Sequence, residues 1–153
     1  MTGTAVLFVC LGNICRSPLA EAAFRQAAAA AGLDVLADSA GTADYHVGEP
    51  PDPRSIAEAA RYGIDISGYR GRQLAPGDFH RFDWILGMDG SNMRDIARID
   101  PGDGKARAKR LLDLVPGREG DDLVDPWYGE AEGFRATWAD VTAGAQALVR
   151  LLR

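Results

Sequence analysis

The sequence predicts an α/β fold built on a mostly parallel sheet. Apolar runs that do not alternate with polar residues, as expected of buried parallel strands, occur between segments of helical periodicity. Strands and helices that alternate at this spacing favour a parallel sheet with right-handed crossovers. The 153 residues, 46% of them hydrophobic, suffice for one compact domain, so we assign residues 1–153 to a single domain.

The first strand and the first helix are the most clearly marked elements. Residues 5–9 form an aliphatic run before Gly12-Asn13 and are predicted to be a buried strand. In the helix that follows, Ser17 suits the N-cap and Pro18 the first helical position, and Gly32 ends the helix. The apolar face of this helix consists of Leu19, Ala22, Ala23, Phe24 and Ala27.

The next part of the chain is predicted to contain a short strand, two loops and a helix. Residues 35–37 are the strand, residues 39–42 the first loop, and the proline-rich residues 49–53 the second. The helix then ends at Tyr62-Gly63. Its apolar face consists of Ile56, Ala59 and Ala60.

The second half of the chain is predicted to add two strands and two helices. Residues 82–88 form a strand, residues 91–99 a helix, and residues 109–112 a fourth strand. A long amphipathic helix follows, because apolar residues recur there in steps of four and three. These residues are Phe134, Trp138, Val141, Ala145, Leu148 and Leu152.

Composition excludes several classes of protein. A formal net charge of -5 disfavours a protein that coats nucleic acid or binds anionic lipid. Two cysteines are too few for a disulfide-stabilised secreted scaffold, which favours a reducing cytoplasm. The apolar run that starts at Ala5 ends at Gly12, too short for a signal peptide or a membrane span, so we expect neither.

The segment between the first strand and the first helix carries the most chemistry. Ligands of open α/β sheets bind beyond the carboxyl ends of the strands, and the first such loop is residues 10–17, Cys-Leu-Gly-Asn-Ile-Cys-Arg-Ser. Backbone N–H groups and the helix N-terminus make this loop a site for a phosphate-like anion. Arg16 adds a planar fork for two anion oxygens, and the same field should stabilise the thiolate of Cys10.

Other interpretations of this loop remain open at this stage. A lone cysteine after a strand is most often a small buried hydrophobe, although Cys10, five residues and then Arg-Ser-Pro is an unusual combination. A nucleotide-binding P-loop is disfavoured because G-x-x-x-x-G-K-[ST] is absent from the loop. A zinc site is disfavoured because Cys10 and Cys15 lack a second pair and His46 and His80 are isolated in the sequence.

Residues 6–21 closely resemble the N-terminus of the low molecular weight protein tyrosine phosphatases. Later segments resemble that family's landmarks in the right order. These segments are Ser39-Ala40-Gly41-Thr42, Val47-Gly48, Pro51-Asp52-Pro53-Arg54, Met88-Asp89, Ser91-Asn92 and Asp125-Pro126-Trp127-Tyr128-Gly129. The resemblance implies one three-layer domain, with a four-stranded parallel sheet, helices on both faces and a phosphate-binding loop after the first strand.

The resemblance also implies an activity: hydrolysis of phosphotyrosine and small aryl phosphates in two steps, without metal or cofactor. Cys10 would attack phosphorus to form a phosphocysteine, and Arg16 would bind the phosphoryl oxygens. Asp125 would protonate the leaving oxygen and then deprotonate the attacking water. A thiolate cannot supply the leaving group's proton, whereas a positioned carboxyl can. The implied partners are a tyrosine-phosphorylated protein and an oxyanion in the loop.

Further residues receive roles from the same resemblance. The phosphate-binding loop would comprise Leu11, Gly12, Asn13, Ile14, Cys15, Arg16 and Ser17. Loop support would come from Asn13, Ser17 and Ser39. Without the resemblance, these residues would be interpreted as a turn asparagine, a helix N-cap and a serine at a strand end. The walls of a cleft for an aromatic ring would be Leu11, Ile14, Tyr45, Trp127 and Tyr128, or these residues simply pack. Cys15 would form a protective disulfide with Cys10, or it is a buried spectator thiol.

Two departures and two alternative functions complete the sequence-based interpretation. Many family members carry two tyrosines where this chain has Trp127-Tyr128, which puts regulation by phosphorylation there in doubt. The basic residues Lys105, Arg107, Lys109 and Arg110 either steer acidic phosphoproteins or form a solvated surface. A thioredoxin-coupled arsenate reductase needs a distal cysteine, and none follows Cys15. A non-catalytic phosphoprotein-binding module would not need both Cys10 and Asp125.

Overall fold

The computed structural model describes residues 3–153, which form one four-stranded parallel sheet covered by helices. The strands are β1 (Thr4–Cys10), β2 (Val35–Gly41), β3 (Trp84–Gly87) and β4 (Arg107–Arg110). Their order is β2-β1-β3-β4, and each neighbouring pair is parallel. The predicted α/β fold with a four-stranded parallel sheet is confirmed.

Strand β1 lies at the centre and is buried on both sides. Val6, Phe8 and Cys10 belong to one hydrophobic cluster, whereas Leu7 and Val9 belong to a second cluster on the opposite face. A strand buried on both faces needs apolar residues at every position, which explains the uninterrupted aliphatic run. Each fully buried side chain of this size contributes about 1.5–3 kcal/mol to folding.

Helices cover both faces of the sheet. They are α1 (Arg16–Ala30), α2 (Pro53–Ala60), α3 (Asp78–Arg81), α4 (Gly90–Ile99) and α5 (Ala131–Leu152), with a 3-10 helix over Leu111–Leu114. Residues of α1, α2 and α5 join the cluster that contains Phe8, and residues of α3 and α4 join the one that contains Leu7. The predicted stripe of α5 is buried as expected, with Leu152 half-buried at its end.

The start of α1 differs from the prediction. The N-cap is Cys15 and the helix begins at Arg16, so Ser17 is not the cap and Pro18 is the third helical residue. Pro18 is tolerated there because the first four N–H groups of a helix have no partner within the helix. The hydroxyl of Ser17 is therefore free to bond elsewhere. The end at Gly32 is confirmed, since Gly32 has a φ of 70° just after the helix.

Strands β2 and β3 also have other bounds than predicted. β2 continues through Ser39–Gly41, where we expected a loop, because Phe8, Val9 and Cys10 pair with these residues. β3 covers only Trp84–Gly87 of the predicted residues 82–88, because Phe82 caps the unpredicted short helix α3. Helix α4 begins at Gly90, after Asp89, whose carboxylate accepts a hydrogen bond from the N–H of Asn92.

The fourth strand is displaced from its predicted position. We expected residues 109–112, but β4 is Arg107–Arg110, and Leu111-Leu112 lie in the 3-10 helix that packs against α5. β4 is an edge strand with mostly exposed charged side chains, so hydrophobicity does not mark it. Within residues 3–153, no helix is both long enough and apolar enough to cross a bilayer.

Candidate active site

The carboxyl ends of β1 and β3 meet at one edge of the sheet and bring the predicted site residues together. Cys10 is the last residue of β1, and Asp89 follows β3. Between β1 and α1 runs the anion loop, our name for residues 10–17. Helix α1 begins at Arg16, so its N-terminal N–H groups lie within this loop.

Four carbonyl groups of the anion loop bond to neighbouring segments, the first being Cys10 O, which accepts from the N–H of Thr42 at 2.9 Å. Leu11 O accepts from the N–H of Ala43 at 3.0 Å, and Ile14 O accepts from the N–H of Asp52 at 2.8 Å. Cys15 O accepts from the hydroxyl of Ser55 at 3.3 Å. In a trans peptide the C=O and the following N–H point in opposite directions. The N–H groups of residues 12, 15 and 16 therefore point away from Ala43, Asp52 and Ser55.

Gly41 allows the anion loop to lie against the end of β2. A Cβ at this position would lie 2.7 Å from the carbonyl oxygen of Leu11 and 3.2 Å from the backbone nitrogen of Asn13. Backbone atoms cannot move aside as a flexible side chain can. A glycine is therefore required at the end of β2 for the loop to keep this shape.

The thiol of Cys10 is buried and faces two polar groups. The side-chain oxygen of Ser17 is 3.1 Å from Cys10 Sγ, and the backbone N–H of Asn13 donates to the same sulfur at 3.3 Å. Only 3% of Cys10 is exposed. These two contacts fix the position of the sulfur atom at the base of the loop.

Asn13 occupies a backbone conformation that side chains rarely adopt, with a φ of 59°. Its Nδ2 donates to Ser17 Oγ at 2.8 Å and to Ser39 Oγ at 3.0 Å, and its Oδ1 accepts from the N–H of Arg72 at 3.0 Å. Asparagine tolerates this region better than most residues. All three side-chain groups of the predicted loop support are thus joined in one network.

Glu21 and Arg72 complete this support and were not identified from the sequence. Ser39 Oγ donates to Glu21 Oε1 at 2.8 Å, and Arg25 Nε donates to Glu21 Oε2 at 2.9 Å. Burial raises the pKa of Glu21, although the bonds from Ser39 and Arg25 oppose the shift. Arg72 pairs through its guanidinium with Asp78 at 3.0 Å. A glutamate among the alanines of α1 was the only sequence feature pointing to this support.

Arg16 connects the anion loop with two other segments. Its NH1 donates to Asp89 Oδ2 at 2.7 Å and to the carbonyl of Leu123 at 2.8 Å, and its NH2 lies 3.7 Å from Asp125 Oδ2. Burial lowers the pKa of Arg16, but the negative charges of Cys10 and Asp89 outweigh it and raise the pKa above its usual value. The guanidinium is permanently charged and fixed in orientation at the base of the site.

Asp125 lies in the acid segment, our name for residues 121–130, which contains no regular helix or strand. The segment is anchored at its start by the N–H of Leu123, which donates to the carbonyl of Met88 at 2.8 Å. Asp125 Oδ1 accepts from the N–H of Trp127 at 3.1 Å. Its side chain is 41% exposed, so the carboxyl is accessible from solvent.

A cleft of about 280 Å³ opens above Cys10 and Arg16. The predicted wall residues all line it: Leu11, Ile14, Tyr45, Trp127 and Tyr128. His46, which we took as isolated, is also a wall residue, and its ring centroid lies 5.9 Å from that of Trp127. Asn13 and Ser17 of the anion loop do not line the cleft and are buried.

Cys15 also lines the cleft and is 5% exposed. Neither Cys10 nor Cys15 is in a disulfide. Burial, and then the charges of Asp52 and Cys10, raise the pKa of Cys15 well above its usual value. Two cysteines in one cleft therefore have different environments, and Cys15 stays protonated at neutral pH.

The predicted basic group lies along and beside β4. Lys105 pairs with Asp83 at 3.2 Å, Arg110 lies 3.5 Å from Asp122, and Arg107 lies 5.5 Å from the ring centroid of Trp84. Three of the four side chains thus have local partners, which favours the interpretation of a solvated surface.

The comparisons with known proteins agree with this geometry. The family model described as low molecular weight phosphotyrosine protein phosphatase matches residues 5–153. The enzyme of that name from Schizosaccharomyces pombe is 42% identical over 132 residues, which cover 84% of each chain. The low molecular weight protein-tyrosine-phosphatase of Streptomyces coelicolor is 40% identical over 97% of this chain and 93% of its own.

A solved structure extends the comparison to the fold. The crystal structure of YfkJ from Bacillus subtilis matches this chain with a TM-score of 0.90 and 37% identity, over 99% of this chain and 95% of that one. This chain belongs to the low molecular weight phosphotyrosine protein phosphatase family.

Proposed function

We propose that this chain hydrolyses phosphotyrosine and small aryl phosphates through a phosphocysteine formed on Cys10. The observation that carries the proposal is the joint placement of Cys10, Arg16 and Asp125 around one cleft. The thiol lies among the N–H groups of the anion loop, the guanidinium beside it, and a solvent-accessible carboxyl 3.7 Å from that guanidinium. A nucleophile, an anion clamp and a proton donor are thus within reach of one phosphoryl group.

In the first step, the Cys10 thiolate attacks phosphorus and the bond from phosphorus to the aryl oxygen breaks. Asp125 gives its proton to the departing oxygen, so that a neutral phenol leaves. The transferring phosphoryl group carries negative charge on its equatorial oxygens. The N–H groups of residues 12, 15 and 16 and the fork of Arg16 stabilise that charge without rearranging, because they are already held in place.

In the second step, water attacks the phosphocysteine and the sulfur–phosphorus bond breaks. Asp125, now ionised, takes a proton from the water. Inorganic phosphate leaves and the Cys10 thiolate returns. Both steps are completed by backbone and side-chain groups of this chain and by water, so the proposed reaction requires no metal ion or cofactor.

The cleft walls fit an aryl substrate. Leu11, Ile14, Tyr45, Trp127 and Tyr128 form the walls, and His46 joins them. Ile14 is buried at the floor, whereas Tyr45 is 68% and Tyr128 94% exposed at the rim. An aromatic ring can stack between such side chains, which supports a tyrosine-phosphorylated protein as the substrate.

We also propose that Cys15 protects Cys10 from oxidation. Hydrogen peroxide converts the Cys10 thiolate to a sulfenic acid, and the Cys15 sulfur then displaces water to form a disulfide. Because its pKa is raised, Cys15 stays a thiol at neutral pH and does not compete with Cys10 as the nucleophile toward phosphorus. Cys15→Ser should keep most activity but lose recovery by thiol after peroxide. Equal recovery in both proteins would contradict this role.

The experiment that tests the phosphatase function is turnover of p-nitrophenyl phosphate in the presence of a chelator. We expect wild-type and Cys15→Ser proteins to be active and Cys10→Ser to be inactive. Activity that survives Cys10→Ser, or that a chelator abolishes, would overturn the proposal. A binding module would bind phosphate without turnover, and an arsenate reductase would consume a thiol reductant with arsenate.

The remaining expectations form part of the same proposal. Residues 1–153 form one phosphatase domain that acts in the cytoplasm, without a nucleic acid or membrane partner. The net charge of -5 and the local nature of the anion site support this setting, because phosphate is bound by one loop and one arginine.

A further inference from the structure

Helix α2 begins between the two halves of the site. Its N-cap, Asp52, bonds to the anion loop, and Arg54 in its first turn bonds to the acid segment. We propose that Arg54 is a positioning residue that holds the acid segment so that Asp125 is directed at the leaving oxygen. This inference rests on the proposed role of Asp125 as the proton donor.

Asp52 provides the connection to the anion loop. Its N–H donates to Ile14 O at 2.8 Å. Three residues later, the hydroxyl of Ser55 donates to Cys15 O. The Asp52 carboxylate binds the guanidinium of Arg54 through both oxygens, at 3.0 Å from Nε and 2.9 Å from NH2. Asp52 is 8% exposed, so this bidentate pair is shielded on one side and fixes the guanidinium relative to the anion loop.

Arg54 provides the connection to the acid segment. Its NH1 donates to the carbonyl of Gly129 at 2.8 Å, and its NH2 donates to the carbonyl of Trp127 at 3.2 Å. The guanidinium carbon lies 5.8 Å from the ring centroid of Trp127 and 4.6 Å from that of Phe134 at the start of α5. One side chain thus holds two backbone carbonyls, one carboxylate and two aromatic rings.

The segment that Arg54 holds has little burial of its own around Asp125. Leu123 and Pro126 are buried, but Val124 is 76% and Tyr128 94% exposed, and such exposed parts of a segment open at low cost in free energy. The link to Asp125 is short, because the N–H of Trp127 donates to Asp125 Oδ1 and the carbonyl of Trp127 accepts from Arg54. Loss of Arg54 frees Trp127 and with it the carboxyl.

The effect on catalysis should depend on the leaving group. General acid catalysis contributes on the order of 10²–10⁴ in rate, and a displacement of about 1 Å can remove much of such a contribution. A phenolate with a high pKa needs the proton as it leaves, whereas dinitrophenolate does not. Displacing Asp125 should therefore slow only the first type of substrate.

The experiment compares kcat/KM for phenyl phosphate and 2,4-dinitrophenyl phosphate, which reports transfer to Cys10. The variants are Arg54→Ala, Arg54→Lys, Asp125→Asn and, as a matched control at the other end of α2, Arg61→Ala. We expect Arg54→Ala to lower kcat/KM about tenfold for phenyl phosphate and less than about twofold for dinitrophenyl phosphate. Arg54→Lys should lie between, since an ammonium lacks the fork, and Arg61→Ala should match wild type.

Competitive inhibition by inorganic phosphate separates positioning from damage to the anion loop. An unchanged inhibition constant in Arg54→Ala, with selective loss toward phenyl phosphate, supports the proposal. The proposal is overturned if Arg54→Ala loses kcat/KM equally for both substrates and binds phosphate more weakly. It is also overturned if Asp125→Asn shows the selective loss toward phenyl phosphate and Arg54→Ala does not. If Asp125→Asn itself shows no dependence on the leaving group, the proposed proton donor is wrong. Should Arg54→Ala fail to fold, Arg54→Lys supplies the same comparison.

Discussion

The anion loop and the acid segment serve one site but are built in opposite ways. In the anion loop, Asn13 is 4% and Ser17 0% exposed, and buried hydrogen bonds fix the loop from behind. In the acid segment only Leu123 and Pro126 are buried, Val124 is 76% and Tyr128 94% exposed, and arginine side chains from elsewhere bind the backbone. One region is preorganised by burial, and the other is tethered by a few long side chains.

This difference matches the chemistry proposed for each region. The anion loop must stabilise charge that develops during the reaction, and donors do this best when they need no rearrangement. The acid segment must admit an aryl ring, deliver a proton and release a phenol, which requires an accessible carboxyl. We therefore expect substitutions in the anion loop to slow hydrolysis of every substrate. The effect of substitutions around the acid segment should depend on the leaving group.

Arg16 connects the two regions, so its replacement should have the largest effect. In Arg16→Lys, one ammonium replaces a fork that bonds Asp89 and Leu123 O while facing the phosphoryl site. We expect kcat/KM to fall by about 10²–10³ for every aryl phosphate. The measurement is steady-state turnover, with Arg98→Lys on the exposed face of α4 as the control. A loss below about threefold would show that the fork is not needed.

Asn13 tests whether buried hydrogen bonds hold the anion loop. Asn13→Ala removes two donated hydrogen bonds and one accepted hydrogen bond, so the free energy of unfolding should fall by about 2–3 kcal/mol. Asn13→Gly adopts the φ of 59° without strain and should recover less than about 1 kcal/mol of the stability that Asn13→Ala loses. Tyr128→Ala in the acid segment should change stability by under about 0.5 kcal/mol. Urea denaturation measures all three, and equal losses in both regions would refute the contrast.

The supports of the two regions should respond to pH with opposite signs. Burial raises the pKa of Glu21, so its contribution is fully present below its unfolded pKa of about 4.3 and is lost as pH rises through the folded value. Hydrogen bonds from Arg54 lower the pKa of Asp52. Its contribution is present above about pH 3.9 and is lost as pH falls through the depressed value.

Two variants separate these effects in curves of unfolding free energy against pH. In Glu21→Gln, the free energy of unfolding should no longer decline as pH rises above about 4.3. In Asp52→Asn, it should no longer decline as pH falls below about 3.9. Each slope is at most about 1.4 kcal/mol per pH unit. Identical curves for Glu21→Gln and wild type would mean that Glu21 titrates equally in both states.

The sequence predicted the features that are encoded locally. The strand, the anion loop and the first helix follow one another within residues 4–30, so the aliphatic run and the Cys10-to-Arg16 spacing were enough to place them. The stripe of α5 was likewise predicted from its own periodicity. β4 was misplaced because an edge strand of charged residues lacks a hydrophobic pattern.

The residues that were missed act over long distances in the chain. Arg54 bonds to Gly129, 75 positions away, and Arg72 bonds to Asn13, 59 positions away. Their sequence contexts, a proline-rich turn and a loop, carry no local mark of such partners. His46 was dismissed as a metal ligand, and only the fold brings it beside Trp127. Serine is a common helix N-cap, but the hydroxyl of Ser17 instead hydrogen-bonds with Cys10 Sγ and Asn13 Nδ2.

The most direct test of the account is a rapid-mixing experiment on Asp125→Asn with 2,4-dinitrophenyl phosphate. This substrate does not need the acid in the first step, whereas hydrolysis of the phosphocysteine still needs the base. We predict a burst of dinitrophenol equal to the enzyme concentration, followed by slow release of phosphate, with phosphorus retained on Cys10 by mass spectrometry. Phosphate released in step with dinitrophenol, or a burst that persists in Cys10→Ser, would contradict the account.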